Sequence, residues 1–271
     1  MNNNNPNIFD ANNIDQWLSD TMQGSLSLPM STLADAAFNT VFCQTKRMMG
    51  SMVDYKDLMM MYTCAMKEVQ TKFEVLNTEF KVRYQRNPIS SISTRLKRTS
   101  SITEKMAKLK KPFTLESIQE NIHDIAGIRV ICNYIDDIYL IADALLKQDD
   151  ITLIMRKDYI ANPKPNGYRS LHLIIKVPVF FADQRKEMKV EVQIRTIAMD
   201  FWASLEHQLK YKQEIPGQDE IVTLLKSCAE TINATDEEML KIRKQIEAVA
   251  DTPTEEDLLF EKFSRLEMPI E

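Results

Sequence analysis

The run VEVQIRT, residues 190–196, constrains this chain more than any other stretch. With the two-residue period of a β-strand, Val190, Val192 and Ile194 fall on one side and Glu191, Gln193 and Arg195 on the other. The apolar side needs a core. The polar side lines up a carboxylate, an amide and a guanidinium, which are costly to bury without partners. From this run alone two readings stay open. One is an edge strand with a solvated outer face; the other is a central strand whose polar face meets a ligand, such as a nucleotide with its metal.

The surrounding patterns favour a sheet. Strands are expected at 91–98, 128–132, 152–155, 171–177 and 188–195, and an amphipathic stretch at 136–147 predicts a helical crossover within a mixed sheet. Helices are expected at 100–110, at 114–121 with Thr114 as N-cap, at 198–211 and at 219–249. Tyr55, Met59, Tyr62, Met66, Val69, Phe73, Leu76 and Phe80 alternate steps of four and three, the stripe of a long helix that packs on its own domain or on another copy. Pro88 and the β-branched residues after it close that helix. The fold class is α+β or α/β, a mixed β-sheet flanked by helices. Residues 1–54 read as an extension without a chemical motif, partly disordered or helical, 55–249 as the domain, and 250–271 as an acidic tail.

The sequence has 271 residues, 44% hydrophobic and 27% charged, enough for one globular domain with additional helices. Its four cysteines are scattered with no C-x-x-C pair, which argues against a zinc site or a disulfide framework. The Asn-rich start has neither a basic patch nor an apolar stretch behind it, and no apolar run approaches the ~20 residues of a membrane helix. A cytoplasmic protein without a membrane partner is expected. The net charge of −5 hides an asymmetry: residues 81–111 hold ten Lys and Arg and one acid, Glu104. That segment reads as an anion-binding surface or as a solvated helix face.

Two further segments carry chemistry. In HDIAGIRVIC, Asp124 stands at the mouth of a strand, Gly127 permits a tight turn and Arg129 follows. Magnesium takes one or two protein carboxylates and completes its shell with water and phosphate, so Asp124 and Glu191 suffice as a metal pair. In KDYIANPKPNGYRSLH, prolines and Gly167 shape a basic loop that delivers Tyr168 to the next strand. There the ring can stack on a base while Lys157, Lys164 and Arg169 meet phosphates. The adjacent His123 and Asp124 hint at a metal phosphohydrolase, but only three histidines exist and none precedes residue 123. Hydrolysis is therefore not expected.

Taken in order, STRLK, HDIAGIR, KDYIANPKPNGYRSLH, VEVQIRT and AMDFWASLEHQLKYK resemble the small alarmone synthetases, the single-domain branch of the RelA/SpoT family, over roughly 55–247. The resemblance implies a sheet related to nucleotidyltransferases, usually in a homotetramer. It implies a GTP pyrophosphokinase that uses Mg2+ to move pyrophosphate from ATP to the ribose 3′-hydroxyl of GDP or GTP. Carried over residue by residue, Arg95, Lys97, Ser101, Lys105, Lys108 and Arg129 hold ATP, Asp124 holds the metal, and Glu191 is the second acid, near metal and acceptor. Tyr168 stacks on guanine, with Lys157, Lys164, His172 and Gln193 around the acceptor. In the branch activated by bound pppGpp an asparagine opens the later helix; Asp200 stands there in this chain, and an acid disfavours an anionic effector. Two rivals share the fold: an enzyme that pyrophosphorylates the 3′ end of tRNA, and a non-catalytic nucleotide or RNA binder. The acidic C-terminal segment argues against the first and the presence of both acids against the second, so RNA is not indicated.

Overall fold

The computed structural model describes the backbone over residues 32–210 and 218–250 and the side chains over 52–209 and 220–248. The start of the extension and the acidic tail lie outside these residues. The chain divides into two compact units, Met1–Asp54 and Tyr55–Glu271. In the first, the described residues are helical and open α1 (Thr32–Tyr84). The second holds the sheet.

Within that second unit the stripe of α1 faces the core, with Tyr62, Ala65, Val69 and Phe73 buried, so it packs on its own domain. The helix ends at Tyr84, four residues before Pro88. Gln85 turns into the left-handed region at φ 49°, and the Arg86 amide donates to the Phe80 carbonyl at 3.2 Å. A left-handed residue just past the last turn is how many helices terminate.

Five strands follow: β1 (Ile89–Leu96), β2 (Ala126–Cys132), β3 (Thr152–Asp158), β4 (Leu171–Phe180) and β5 (Arg185–Thr196). They form one mixed sheet in the order β1-β2-β5-β4-β3, with β2 and β5 parallel and the other pairs antiparallel. The VEVQIRT strand is thus third of five, which excludes the edge reading. Val190, Val192 and Ile194 are fully buried. The expected crossover exists, but it travels: α4 (Ile135–Leu146) carries the chain from β2 to the far edge, because β5 and β4 fill the space between. Strand β4 also runs three residues past the expected end. Pro178 is tolerated there because β3 pairs with β4 no further than Lys176, so the missing amide leaves no ladder bond unmade on that side.

Before the crossover, α2 (Thr99–Lys108) and α3 (Leu115–Asn121) connect β1 to β2, and the Thr114 side chain caps α3 by accepting from the Ser117 amide. After the sheet come α5 (Ile197–Lys210) and α6 (Gln218–Ala250). Trp202 and Ala203 of α5 meet Ala229 of α6 in a small second cluster against which Tyr168 packs. Arg243 ties α6 to the start of α4 through Asp136 and, at 3.6 Å, through the buried Asp137.

Candidate active site

Strand register decides which side chains meet. One row across the sheet reads Arg95, Gly127, Glu191, Ile174; the next reads Ser93, Arg129, Gln193, His172, Lys157. Because directly paired residues share a face, charged and polar groups from the four other strands meet on the polar face of β5. The sequence supplied the candidates; the pairing brings them together.

At the β1 side, Asp124 accepts from the Lys97 and Lys105 ammonium groups, each at 2.8 Å. Burial pushes the Asp124 carboxyl up, but hydrogen bonds and charge from Lys105 and Lys97 outweigh it and leave the acid below its usual range. Helix α2 buries Ile102 and Met106. Ser101, Lys105 and Lys108, spaced by four and three, fall on its other face. Lys105 reaches Asp124, whereas Ser101 stays at the first turn and Lys108 is exposed at the last. Arg129 pairs with Asp200 at 3.3 Å while its Nε is buried without a hydrogen-bond partner.

At the β4 side, Lys157, Tyr159, Lys164, His172, Glu191 and Met155 line a cleft of about 230 Å³. Gln193 donates to Glu191 at 2.9 Å, and His172 Nδ1 lies 3.4 Å from the same carboxylate. Burial raises the Glu191 carboxyl, yet His172 and Gln193 together hold it below the ordinary range. Both acids are therefore ionised. The Tyr168 hydroxyl meets His172 Nε2 at 2.8 Å, and the Lys164 ammonium sits 4.6 Å from the ring centroids of both Tyr159 and Tyr168.

Arg169 does not face the cleft; its Nη1 donates to the Ile160 carbonyl at 3.2 Å and braces the loop. His123 sits beside Lys189 at 3.4 Å, and burial with the charges of Lys189 and Lys105 holds its pKa down. Among the described residues no three His, Cys, Asp or Glu side chains gather around a metal position. Tyr159 carried no sequence signal as a member of the site, whereas Arg195 was legible on the polar face of its strand and Asp200 only as an acid near the start of a helix. Tyr159 lay within a quoted motif, but nothing in its spacing told it from an ordinary loop aromatic.

A mixed sheet that brings two ionised acids, a cluster of cations and an aromatic wall onto one face defines a nucleotide-binding group-transfer site. The comparisons narrow that class. Residues 94–216 match the model of the region found in RelA / SpoT proteins. GTP pyrophosphokinase YwaC of Bacillus subtilis (strain 168) is 42% identical over 196 residues, covering 72% of this chain and 93% of that protein. The crystal structure of small alarmone synthetase 2 from Bacillus subtilis aligns with a TM-score of 0.64 at 43% identity, over 71% of this chain and 99% of that one. Small alarmone synthetase 1 from the same organism, bound to its product pppGpp, aligns with a TM-score of 0.65 at 34% identity, over 72% and 98%. The chain belongs to the RelA/SpoT family, in its small alarmone synthetase branch.

Proposed function

We propose that this chain is a synthetase-only GTP pyrophosphokinase that transfers pyrophosphate from ATP to the 3′-hydroxyl of GDP or GTP, with Asp124 and Glu191 as its two working acids. The observation that carries this reading is the pair itself. Asp124 precedes β2 and Glu191 lies on the neighbouring strand, both ionised, on either side of Gly127, where a Cβ would meet only the Arg95 carbonyl oxygen at 3.4 Å. Open space beside two carboxylates suits a hydrated magnesium with phosphate. Among the described residues no third acid or histidine completes a protein cage, which is how magnesium is usually held beside a nucleotide. When bound there, magnesium would neutralise phosphate charge.

Lys97, Lys105 and Arg129, with Arg95, Ser101 and Lys108 along the same edge, form the donor side. The buried, unpartnered Nε of Arg129 supports an anionic occupant. Tyr168 offers its ring to guanine, and Lys157, Lys164, His172 and Gln193 surround the acceptor. In the reaction the 3′-oxygen forms a bond to the β-phosphorus of ATP while the bond from that phosphorus to the α–β bridging oxygen breaks. AMP leaves with that oxygen. The hydroxyl proton passes to the Glu191 carboxylate, whose contacts with Gln193 and His172 hold it ready. Alignment and charge neutralisation supply most of the rate.

The test is a product assay with labelled ATP, magnesium and each guanine nucleotide. Glu191→Gln is expected to lose roughly 1,000-fold or more in kcat with its circular dichroism unchanged. Near-normal turnover in that variant would remove Glu191 from the chemistry. No helix among the described residues is long and apolar enough to cross a membrane; a cytoplasmic location is a separate part of the proposal. A homotetramer is part of the same proposal.

A further inference from the structure

Arg195 takes no part in the reaction as proposed, yet it is among the most enclosed charges in the molecule, 5% exposed. Its guanidinium donates through Nη2 to the Tyr168 hydroxyl at 2.6 Å and to Gln193 Oε1 at 2.9 Å, through Nη1 to Asp200 at 3.0 Å, and through Nε to Ser170 at 3.4 Å. The partners then close on themselves. Tyr168 meets His172, His172 lies against Glu191, and Gln193 donates to Glu191, so Arg195, Tyr168, His172, Glu191 and Gln193 form one ring of contacts. A buried cation is tolerated only with such partners, and Asp200 is the acid that neutralises it.

We infer that Arg195, held by Asp200, is the positioning residue of the acceptor site: it fixes the Tyr168 ring for the guanine base and acts through the Tyr168 hydroxyl. The inference rests on the reading of Tyr168 as the base platform. Three features carry it. The guanidinium is a rigid fork, so two donors set both the tyrosine and the glutamine beside it. Tyr168 arrives on a loop, whereas Arg195 stands on the central strand, so the contact transfers the precision of the sheet to a loop residue. The Asp200 carboxylate is shared with Arg129 at 3.3 Å, which gives it charge to balance on both sides. Arg195 touches no reacting atom, so its removal weakens the acceptor's hold before it slows the chemistry.

The experiment uses the full chain and steady-state kinetics with ATP and GDP varied separately, for Arg195→Lys, Tyr168→Phe, their combination, Asp200→Asn and Tyr168→Ala. Arg195→Lys keeps the charge and loses the fork, and is expected to raise the GDP KM about tenfold or more while the ATP KM stays within about twofold. Tyr168→Phe, which removes only the hydroxyl, is expected to do the same. The combined variant is expected to be no worse than the more affected single one, since both cut one contact. Multiplicative effects, or an equal rise in the ATP KM, overturn the inference. Should Arg195→Lys fail to fold, Asp200→Asn decides: an unchanged GDP KM overturns it and a raised one supports it. Tyr168→Ala separates the two levels. If it leaves the GDP KM unchanged, the base-platform reading falls; if it raises that KM and Arg195→Lys does not, only the positioning inference falls.

Discussion

Gly127 shows how much function rests on an absent side chain. It occupies the middle of the row from Arg95 to Glu191, and its φ is not the reason for a glycine there, since the residue is ordinary strand. The reason is room. The position a side chain would take is open apart from the Arg95 carbonyl oxygen at 3.4 Å, and the residue pairs with Glu191 on the neighbouring strand. Gly127→Val should therefore fold, since a β-branched residue suits a strand, while kcat/KM for ATP falls by roughly 100-fold as the side chain fills the phosphate position. Thermal melting and ATP-dependent kinetics check this together. A folded variant with normal ATP kinetics would show that phosphate does not pass over Gly127.

At the level of elements, α5 and α6 act as a wall behind the loop that carries Tyr168. Asn166 donates to Glu206 of α5 at 3.0 Å, Trp202 donates to the Leu225 carbonyl of α6 at 3.0 Å, and Gly167 presses on α6. Gly167 is a position only glycine fills: φ is +88°, and a Cβ would lie 2.5 Å from the Ala229 Cβ and 3.2 Å from the Lys226 Cα. Gly167→Ala forces the loop off α6 and is expected to cost about 1–3 kcal/mol. Its second effect is a raised GDP KM, because Tyr168 is the next residue. Urea denaturation and acceptor kinetics read the two effects. Lost stability with unchanged GDP binding would mean that the loop seats Tyr168 independently of α6.

For the whole molecule, the unexplained feature is a row on α5. Ile197, Phe201, Leu205 and Leu209 recur every four residues and all stay exposed. Such a stripe on a helix seeks a partner, and the homotetramer proposed above offers one. Light scattering on the purified protein is expected to give a tetramer's mass, and Leu205→Asp to lower it; a monomer's mass for the unaltered chain would refute the assembly.

What the sequence determined by itself was local. Two-residue and three-four periodicities placed the strands and the main helices, because side-chain direction follows backbone period. The motifs supplied Asp124, Glu191, Lys97, Lys105, Tyr168 and His172 as candidates from residue chemistry and from the family resemblance. Periodicity does not reach across space, however. That β5 lies between β2 and β4, that the crossover skips to the far edge, and that Arg169 turns inward while Arg195 turns toward Tyr168 follow from pairing and packing between segments far apart in the chain. Asp200 makes the point most plainly. Its identity and its place near the start of a helix were readable, but only tertiary structure brought two arginines from neighbouring parallel strands to one carboxylate, where burial makes each charge require the others.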